Sequence, residues 1–518
     1  MPESNYSYNL WKQPWITVIE LNGRLKRVNL RDAILNAHQY HSVYDVSPLV
    51  VAGVTRLLVA ILQDIVNPQT DADIQNLYRA GTFDVIQNKI TAFEQQYCEH
   101  FDLFHTKTPF MQSGDIPLDL KKSTKIKNVA MLFVELPSGT NKVHWKVSLP
   151  RKQVFCPACV ATGLTTVPMF TIAYGKGNFP GINQAPPIYI FPQGKNLFQT
   201  LTLSLILPTY QPSSASVEDK VFWKNSSGVV EFCHPKKGRG DRLPYTAVSY
   251  LHGLLFLARK ARAFPIQGKT ICTRCGETTN VAVESIYWQQ GELYSNDSGS
   301  WFDPFVSYIQ KNGNNWPFPV RLKPGESLLH SFLFLAKDKD KTTVLPARVI
   351  NQRYKLGVDD PDDNILTFRC IAISTDKKAK SKINEWVDAF VEIPRNINQS
   401  IVMSECLRTF VDLSSDCYGQ LLKAFPAGVD EDKTKGIIAG NYWGSLTQLF
   451  HDFIKNLANS DEDDCDAVLA DGLMRLGRLT NRIYSSYIKS MLYADLREQY
   501  KRESALVGFI ERYVYGNK

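Results

Sequence analysis

The sequence predicts an α+β protein, with a large, irregular mixed N-terminal domain with long loops and a C-terminal four-helix bundle. Residues 100–380 are rich in proline, glycine and aromatic side chains between short strand-like runs, which is typical of a mixed domain. After about residue 378 proline and glycine become rare, and apolar residues recur at helical spacing. We therefore expect a mixed domain over residues 1–377 and a helical bundle over residues 378–518.

The elements can be placed in chain order from hydrophobic periodicity. Near the N-terminus, strands are predicted at 15–21 and 25–30, and helices at 47–66 and 84–101. Four later runs are predicted as strands: AMLFVEL (130–136), PPIYIF (186–191), LTLSLIL (201–207) and NILTFRCIAI (364–373). Two sets of apolar residues at helical spacing predict bundle helices: Leu446, Leu449, Phe450, Phe453 and Leu457, and then Leu469, Leu473, Leu476, Leu479 and Ile483.

Composition and charge limit the class of protein. The 518 residues are 44% hydrophobic and 21% charged, which is the composition of a globular chain with more than one domain. The N-terminus lacks the basic start and apolar core of a signal peptide, and Arg56 interrupts the longest apolar run. We therefore expect a cytoplasmic protein with no membrane partner. The net charge of +8 is mild for a nucleic-acid-binding protein, so charge distribution matters more than the total.

Two C-x-x-C pairs stand far apart in the chain, in FCPACVATG (155–163) and ICTRCGETTN (271–280). Ten cysteines in 518 residues are too few for a disulfide scaffold, and paired C-x-x-C units favour metal. Cys156, Cys159, Cys272 and Cys275 would give the four thiolates of a closed tetrahedral Zn²⁺ site. Such a site has no open position for water, so the zinc is predicted to be structural. Two unrelated reduced pairs, or a redox pair, are the alternatives.

A glycine-rich segment, AYGKGNFPGINQAPP (173–187), follows the first cysteine pair. Gly175, Gly177 and Gly181 permit close approach of the backbone to a ligand, and Lys176 adds a positive charge. A plain surface loop is the alternative interpretation.

Charged clusters suggest two further sites. VDDPDDN (358–364) concentrates four carboxylates, which suits either a metal-dependent nuclease loop or a solvated acidic turn. On one face of a predicted bundle helix, four basic residues form a stripe that suits a phosphate backbone or a solvated helix face: Arg475, Arg478, Arg482 and Lys489. The chain contains no G-x-S-x-G or H-E-x-x-H motif, and no catalytic residue is predicted.

The order of several motifs resembles the CasA family. These are PWITV (14–18), TPFMQ (108–112), LFVEL (132–136), CPAC, the glycine loop, CTRCG, GSWFDP (299–304) and a terminal helical region. CasA is the large subunit of Cascade, the type I-E CRISPR surveillance complex. The resemblance covers essentially the whole chain.

The resemblance implies a non-enzymatic subunit of a ribonucleoprotein complex. Such a subunit binds the other Cascade subunits and the CRISPR RNA, and recognises a short flanking motif, the PAM, in the minor groove of double-stranded target DNA. It promotes duplex opening and R-loop formation, and it helps to recruit a separate helicase-nuclease. A metal-dependent nuclease and a purely architectural subunit that binds RNA and protein are the alternative functions.

The resemblance also implies roles for particular positions. The loop that docks on the RNA-bearing complex corresponds to Phe133, Val134 and Glu135. The DNA-reading glycine loop corresponds to Ala173, Tyr174, Gly175, Lys176 and Gly177. The acidic turn with Asp360, Pro361 and Asp362 takes the place of a wedge hairpin. A PAM-contacting lysine of the family corresponds to Gln289 or Gln290. The basic stripe would contact the DNA backbone, and the zinc would hold the glycine loop in place.

Overall fold

The protein is described from a computed structural model. The described residues are 6–120, 122–136, 153–173, 177–212, 217–236, 242–295, 301–311, 316–322, 342–358, 365–375, 383–425, 431–489 and 495–516. The chain forms two compact units. The first comprises Met1–Ser307, Ala347–Val358 and Phe368–Ala389, and the second comprises Tyr308–Pro346, Asp359–Thr367 and Phe390–Lys518. The predicted domain boundary at residue 377 stays a prediction.

The first unit begins with a small antiparallel sheet and four helices. Strands β1 (Ile16–Glu20), β2 (Leu25–Val28) and β3 (Tyr40–Val43) form a sheet in the order β2-β1-β3. The helices of this region are α1 (Leu30–Leu35), α2 (Pro48–Val66), α3 (Asp71–Ala80) and α4 (Gln87–Tyr97).

Helix α2 is the central core helix of this unit. Of its 19 residues, 17 are buried, and α2 packs against α5 (Pro157–Thr165), α7 (Leu197–Leu203) and α8 (Tyr250–Leu254). It is long and apolar enough to cross a membrane, but 89% of its apolar window is buried inside the protein. Its buried cation, Arg56, donates to the Leu254 carbonyl at 2.7 Å and to the Asp303 carboxylate at 2.6 Å.

A long β-hairpin carries the second cysteine pair. Strands β6 (Arg259–Ile271) and β7 (Thr278–Gln290) are antiparallel, and β4 (Ile126–Asn128) pairs with β7 to give the order β4-β7-β6. Helix α5 and the short helix α6 (Val167–Phe170) follow the first cysteine pair. The hairpin and α5 therefore frame the candidate metal centre.

The remaining elements complete two further three-stranded sheets. The bounds are β5 (Tyr189–Gln193), β8 (Tyr308–Lys311), β9 (Phe318–Pro319), β10 (Thr342–Leu345), α9 (Arg348–Lys355), β11 (Ile365–Thr375), β12 (Ile383–Pro394) and α10 (Arg395–Gln399). The strand orders in the two sheets are β12-β11-β5 and β10-β8-β9.

Four long helices form the C-terminal region of the second unit. They are α11 (Ile401–Ala424), α12 (Glu431–Ala458), α13 (Cys465–Ile488) and α14 (Leu496–Phe509). Helix α13 packs on both α11 and α12, and α14 packs on α11. Phe410 and Phe453 stack with ring centroids 4.2 Å apart, and Gly472 lets α13 approach them closely. The predicted α+β fold with a C-terminal four-helix bundle is confirmed.

Two predicted strands are wrong. AMLFVEL begins as a 3₁₀ helix, Val129–Leu132, because the Asn128 side chain accepts from the Ala130 amide at 3.0 Å. LTLSLIL contains the end of helix α7, and glutamine side chains bond the extended backbone that follows. Gln63 bonds both the amide and the carbonyl of Ile206, and Gln352 accepts from the Leu207 amide. These side chains satisfy the backbone groups that a neighbouring strand would otherwise bond.

Candidate metal centre and adjoining loops

The four predicted cysteine ligands come together. Their Sγ atoms all lie within 4.8 Å of one another. The Sγ atoms of Cys156 and Cys275 are 3.7 Å apart, as are those of Cys159 and Cys272. Four sulfurs about 2.3 Å from one Zn²⁺ ion would be separated by about 3.8 Å in a regular tetrahedron. The donor set therefore fits a structural zinc ion in both chemistry and spacing.

Local backbone geometry brings the two pairs to this point. Cys156 is the N-cap of α5, and Pro157 occupies the first helical position, so the helix starts at the first pair. Gly276, at φ 78°, closes the turn after the second pair, and its amide donates to the Cys272 carbonyl at 2.9 Å. The strand-like segment before Cys156 also bonds to the hairpin, because Phe155 and Val283 exchange two backbone hydrogen bonds.

The electrostatics of the centre suit a bound cation. Hydrogen bonds to the other three thiols, together with burial, raise the pKa of Cys159. A hydrogen bond with Cys159 lowers the pKa of Cys275 to about 6. Four thiols in such contact cannot all ionise without a positive charge among them. A Zn²⁺ ion would supply that charge, and the Arg274 guanidinium lies 4.0 Å from the Cys159 sulfur.

The predicted docking loop packs directly beside the cysteine centre. Phe133 is 1% exposed, and its ring lies 4.3 Å from the Arg274 guanidinium and 5.5 Å from the Phe155 ring. Its side chain therefore anchors the loop in this structure. Val134 and Glu135 are partly exposed, and burial of the carboxyl group raises the pKa of Glu135.

A glycine in α5 permits this packing. A Cβ atom added to Gly163 would lie 2.8 Å from Leu132 Cβ and 3.0 Å from the Phe133 ring. Any larger residue would push the docking loop away from α5. The glycine at the end of the CPACVATG motif thus has a packing role.

The described ends of the glycine loop are fixed by two buried polar residues. Arg259, 2% exposed, donates to the Ile172 carbonyl at 2.6 Å and to the Phe179 carbonyl at 2.8 Å. Gln290, 1% exposed, accepts from the Phe179 amide at 2.7 Å. Ala173 is partly exposed and Gly177 is exposed, whereas Tyr174, Gly175 and Lys176 lie outside the described residues.

The cysteine centre and these loop anchors lie at opposite ends of the hairpin. Arg259 and Gln290 pair across its base, and Cys272 follows the last residue of β6. Strands of 13 residues span about 40 Å at 3.3 Å per residue. Any support that a zinc ion gave to the glycine loop would therefore be indirect, through α5 and α6, while Arg259 and Gln290 bond the described loop ends directly.

The two glutamines predicted to contact the PAM differ in exposure. Gln289 is partly exposed, and its Oε1 accepts from the Tyr287 hydroxyl at 2.9 Å. Gln290 is buried and uses its amide on the loop and on neighbouring carbonyls, including Glu292 at 3.0 Å. In this conformation the Gln290 side chain does not face solvent, so it positions the loop.

The basic stripe is exposed along helix α13. Arg475 pairs with Asp471 at 2.9 Å, and the Arg478 guanidinium lies 3.1 Å from the Met474 sulfur. Arg482 and Lys489 are also exposed. The stripe lies opposite the buried apolar residues of the helix. The predicted wedge residues Asp360, Pro361 and Asp362 lie outside the described residues.

Sequence reasoning missed the residues that support these loops. Trp301 and Asp303 of the GSWFDP motif both bond Asn183, at 2.9 Å each, and Asp303 also pairs with Arg56. A tryptophan two positions before an aspartate in a proline-containing segment was the available indication of a buried network. Arg259 gave no indication, since its loop acceptors are main-chain groups far away in sequence.

Together, the mixed unit, in which helix α5 and the hairpin bring four cysteines together, and the terminal helical bundle are the architecture of a CRISPR-associated protein of the Cse1 type. The chain belongs to the CRISPR-associated protein Cse1 family, also called CasA, whose family model matches residues 9–483. A curated relative, CasA/Cse1 of Thermus thermophilus, is 30% identical over 227 residues. That match spans 42% of this chain and 42% of the relative. The resemblance to CasA is confirmed.

Solved structures share the fold at low sequence identity. Cse1 from Thermobifida fusca has a TM-score of 0.73 at 18% identity, with 98% of each chain covered. Cse1 from Acidimicrobium ferrooxidans has a TM-score of 0.71 at 18% identity, with 99% of this chain and 98% of that chain covered. A chain of a CRISPR RNA-guided surveillance complex has a TM-score of 0.67 at 16% identity, covering 93% of this chain and 99% of that chain.

Proposed function

We propose that the protein is the large subunit of a type I-E CRISPR RNA-guided surveillance complex and acts without catalysing a reaction. It recognises the PAM in double-stranded DNA through the minor groove, promotes duplex opening and R-loop formation, and helps to recruit the helicase-nuclease. Family membership over residues 9–483 supports the assembly. We place this activity in the cytoplasm, with the CRISPR RNA and the other Cascade subunits as partners.

The exposed backbone at Gly177 is the observation that carries PAM recognition. Gly177 has φ 89° and is exposed, and apart from its chain neighbours no described residue lies within 4 Å of the position that a Cβ would occupy. The minor groove is only about 6 Å wide, so a backbone segment without side chains enters it more easily than a bulky residue. Hydrogen bonds at Ile172 and Phe179 fix the described backbone on the two sides of the loop, which would favour reading a fixed DNA position.

The other predicted residues have supporting parts in this proposal. Val134 and Glu135 would contact the RNA-bearing complex, and the stripe on α13 would follow a DNA strand. Zn²⁺ held by the four cysteines would supply a cross-link between α5 and the hairpin, since four thiolates leave no position for water. Gln289 stays a predicted DNA contact.

Two matched glycine variants test PAM recognition. Gly177→Leu should lower the ratio of affinities between the best and worst flanking trinucleotides at least tenfold, because the side chain would occupy the groove. Gly23→Leu is the control, since Gly23 has φ 85° and, apart from its chain neighbours, no described residue lies within 4 Å of the position of a Cβ. Equilibrium binding of the reconstituted complex at fixed salt measures both. An unchanged ratio in Gly177→Leu would contradict the proposal.

A further inference from the structure

We infer that Arg259 and Gln290 are positioning residues that set flank discrimination by fixing both ends of the glycine loop. This inference rests on the proposed function. Neither residue contacts DNA in this account. They act through the backbone of Ile172 and Phe179, which lie on the two sides of the loop.

The hydrogen bonds of Arg259 span the loop. Its Nη2 donates to the Ile172 carbonyl at 2.6 Å, and its Nη1 donates to the Phe179 carbonyl at 2.8 Å. One planar guanidinium thus joins main-chain groups seven positions apart. Lysine has the same charge but a single ammonium group, which cannot reproduce this fork.

Gln290 completes the arrangement from the neighbouring strand. Its Oε1 accepts from the Phe179 amide at 2.7 Å and from Arg259 at 3.2 Å. Arg259 and Gln290 are paired residues of β6 and β7, so the sheet fixes their spacing. The loop ends are therefore attached to the base of the hairpin.

Among the described residues, no carboxylate accepts a hydrogen bond from the buried Arg259 guanidinium. Among the described residues its hydrogen-bond acceptors are the carbonyls of Ile172, Phe179 and Ala258 and the amide of Gln290. Burial lowers the pKa of Arg259 to about 9. Burying a cation whose described partners are all neutral costs free energy. Loss of either loop carbonyl as an acceptor would therefore leave the guanidinium poorly solvated.

A matched pair of arginine variants tests the role. Arg259→Lys should lower the flank affinity ratio about tenfold, while binding to a target already opened next to the flank stays within about twofold of the parent. Arg262→Lys is the control, because Arg262 is 1% exposed on the same strand and donates to the His105 carbonyl. If Arg259→Lys and Arg262→Lys give the same ratio of affinities between flanking sequences, the inference is overturned. A parent complex with no flank dependence overturns it together with the proposed function.

A second measurement on the full chain needs no DNA. Gln290→Leu removes the acceptor of the Phe179 amide, so hydrogen exchange of that amide should become at least tenfold faster. The Phe155 amide, bonded to the Val283 carbonyl at 2.9 Å, should exchange as in the parent. An unchanged Phe179 rate overturns the inference even if the Arg259→Lys chain fails to assemble.

Discussion

The Arg274 guanidinium lies 4.3 Å from the centroid of the Phe133 ring. Arg274 stands between the two cysteines of the second pair, and Phe133 belongs to the loop predicted to dock on the RNA-bearing complex. Arg274 also forms an ion pair with Asp45, which precedes helix α2. The metal centre, the docking loop and the start of the core helix therefore form one packed cluster.

Removal of the Phe133 ring should loosen the docking loop. Phe133→Ala deletes a buried aromatic side chain, and such changes cost about 3–5 kcal/mol of unfolding free energy. We expect a lower melting temperature and weaker incorporation into the complex. Leu21→Ala is the control, because Leu21 is 61% exposed and should change stability by less than about 0.5 kcal/mol. If the Phe133→Ala variant is incorporated into the complex as well as the parent, the predicted docking role of this loop is contradicted.

Loss of one cysteine ligand should release the metal. Cys272→Ser should reduce bound zinc from about one ion per chain to a trace, lower the melting temperature and weaken DNA binding. Cys233→Ser provides the control, since Cys233 is 0% exposed and lies outside the cluster. Metal analysis and thermal denaturation measure both variants.

Acidification should also release zinc, because protons compete with the metal for thiolates.

Full zinc occupancy in Cys272→Ser would contradict the four-cysteine site. A folded, metal-free variant with normal DNA affinity would contradict the proposal that zinc supports DNA binding.

Two helical glycines should respond in opposite directions to alanine. Gly163→Ala would bring a Cβ to 2.8 Å from Leu132 Cβ, so we expect a loss of about 1–3 kcal/mol. Gly444→Ala on helix α12 would place its Cβ more than 4 Å from every described residue outside its own helix, and it should gain up to about 1 kcal/mol from helix propensity. Chemical denaturation measures both changes. If Gly163→Ala raised the free energy of unfolding, the packing of the docking loop against α5 would have room for a methyl group.

The basic stripe should contribute through phosphate contacts. Arg482→Ala should weaken binding to all target sequences alike and reduce the slope of log affinity against log salt by about 1. Lys501→Ala removes an exposed charge outside the stripe and should leave the slope unchanged. A sequence-dependent loss in Arg482→Ala, or no change in slope, would contradict backbone contact.

Sequence patterns predicted the parts of the site that depend on residue type and spacing. The two C-x-x-C pairs carry their own chemistry, so the cysteine centre could be predicted although Cys156 and Cys275 lie 119 positions apart. Helix α13 could be predicted because its apolar positions repeat at helical spacing.

Other features depend on partners that the local pattern does not contain. LTLSLIL alternates as a strand does, but Gln63 and Gln352, more than 140 positions away, bond its backbone instead. Arg259 occupies an ordinary strand position, and its role follows only from main-chain carbonyls 80 and 87 positions away. Contacts of this kind become visible only when the chain is folded.

Binding with and without this chain tests the central claim most directly. The remaining subunits with CRISPR RNA, alone or with this protein, would be titrated against target duplexes with randomised flanking trinucleotides at fixed salt. Magnesium would be included to detect any cleavage, which the nuclease alternative predicts to be lost in Asp360→Ala and Asp362→Ala. We predict that adding the protein makes affinity depend strongly on the flank and leaves the DNA intact. Affinity that is equal for every flank would contradict PAM recognition and favour an architectural subunit.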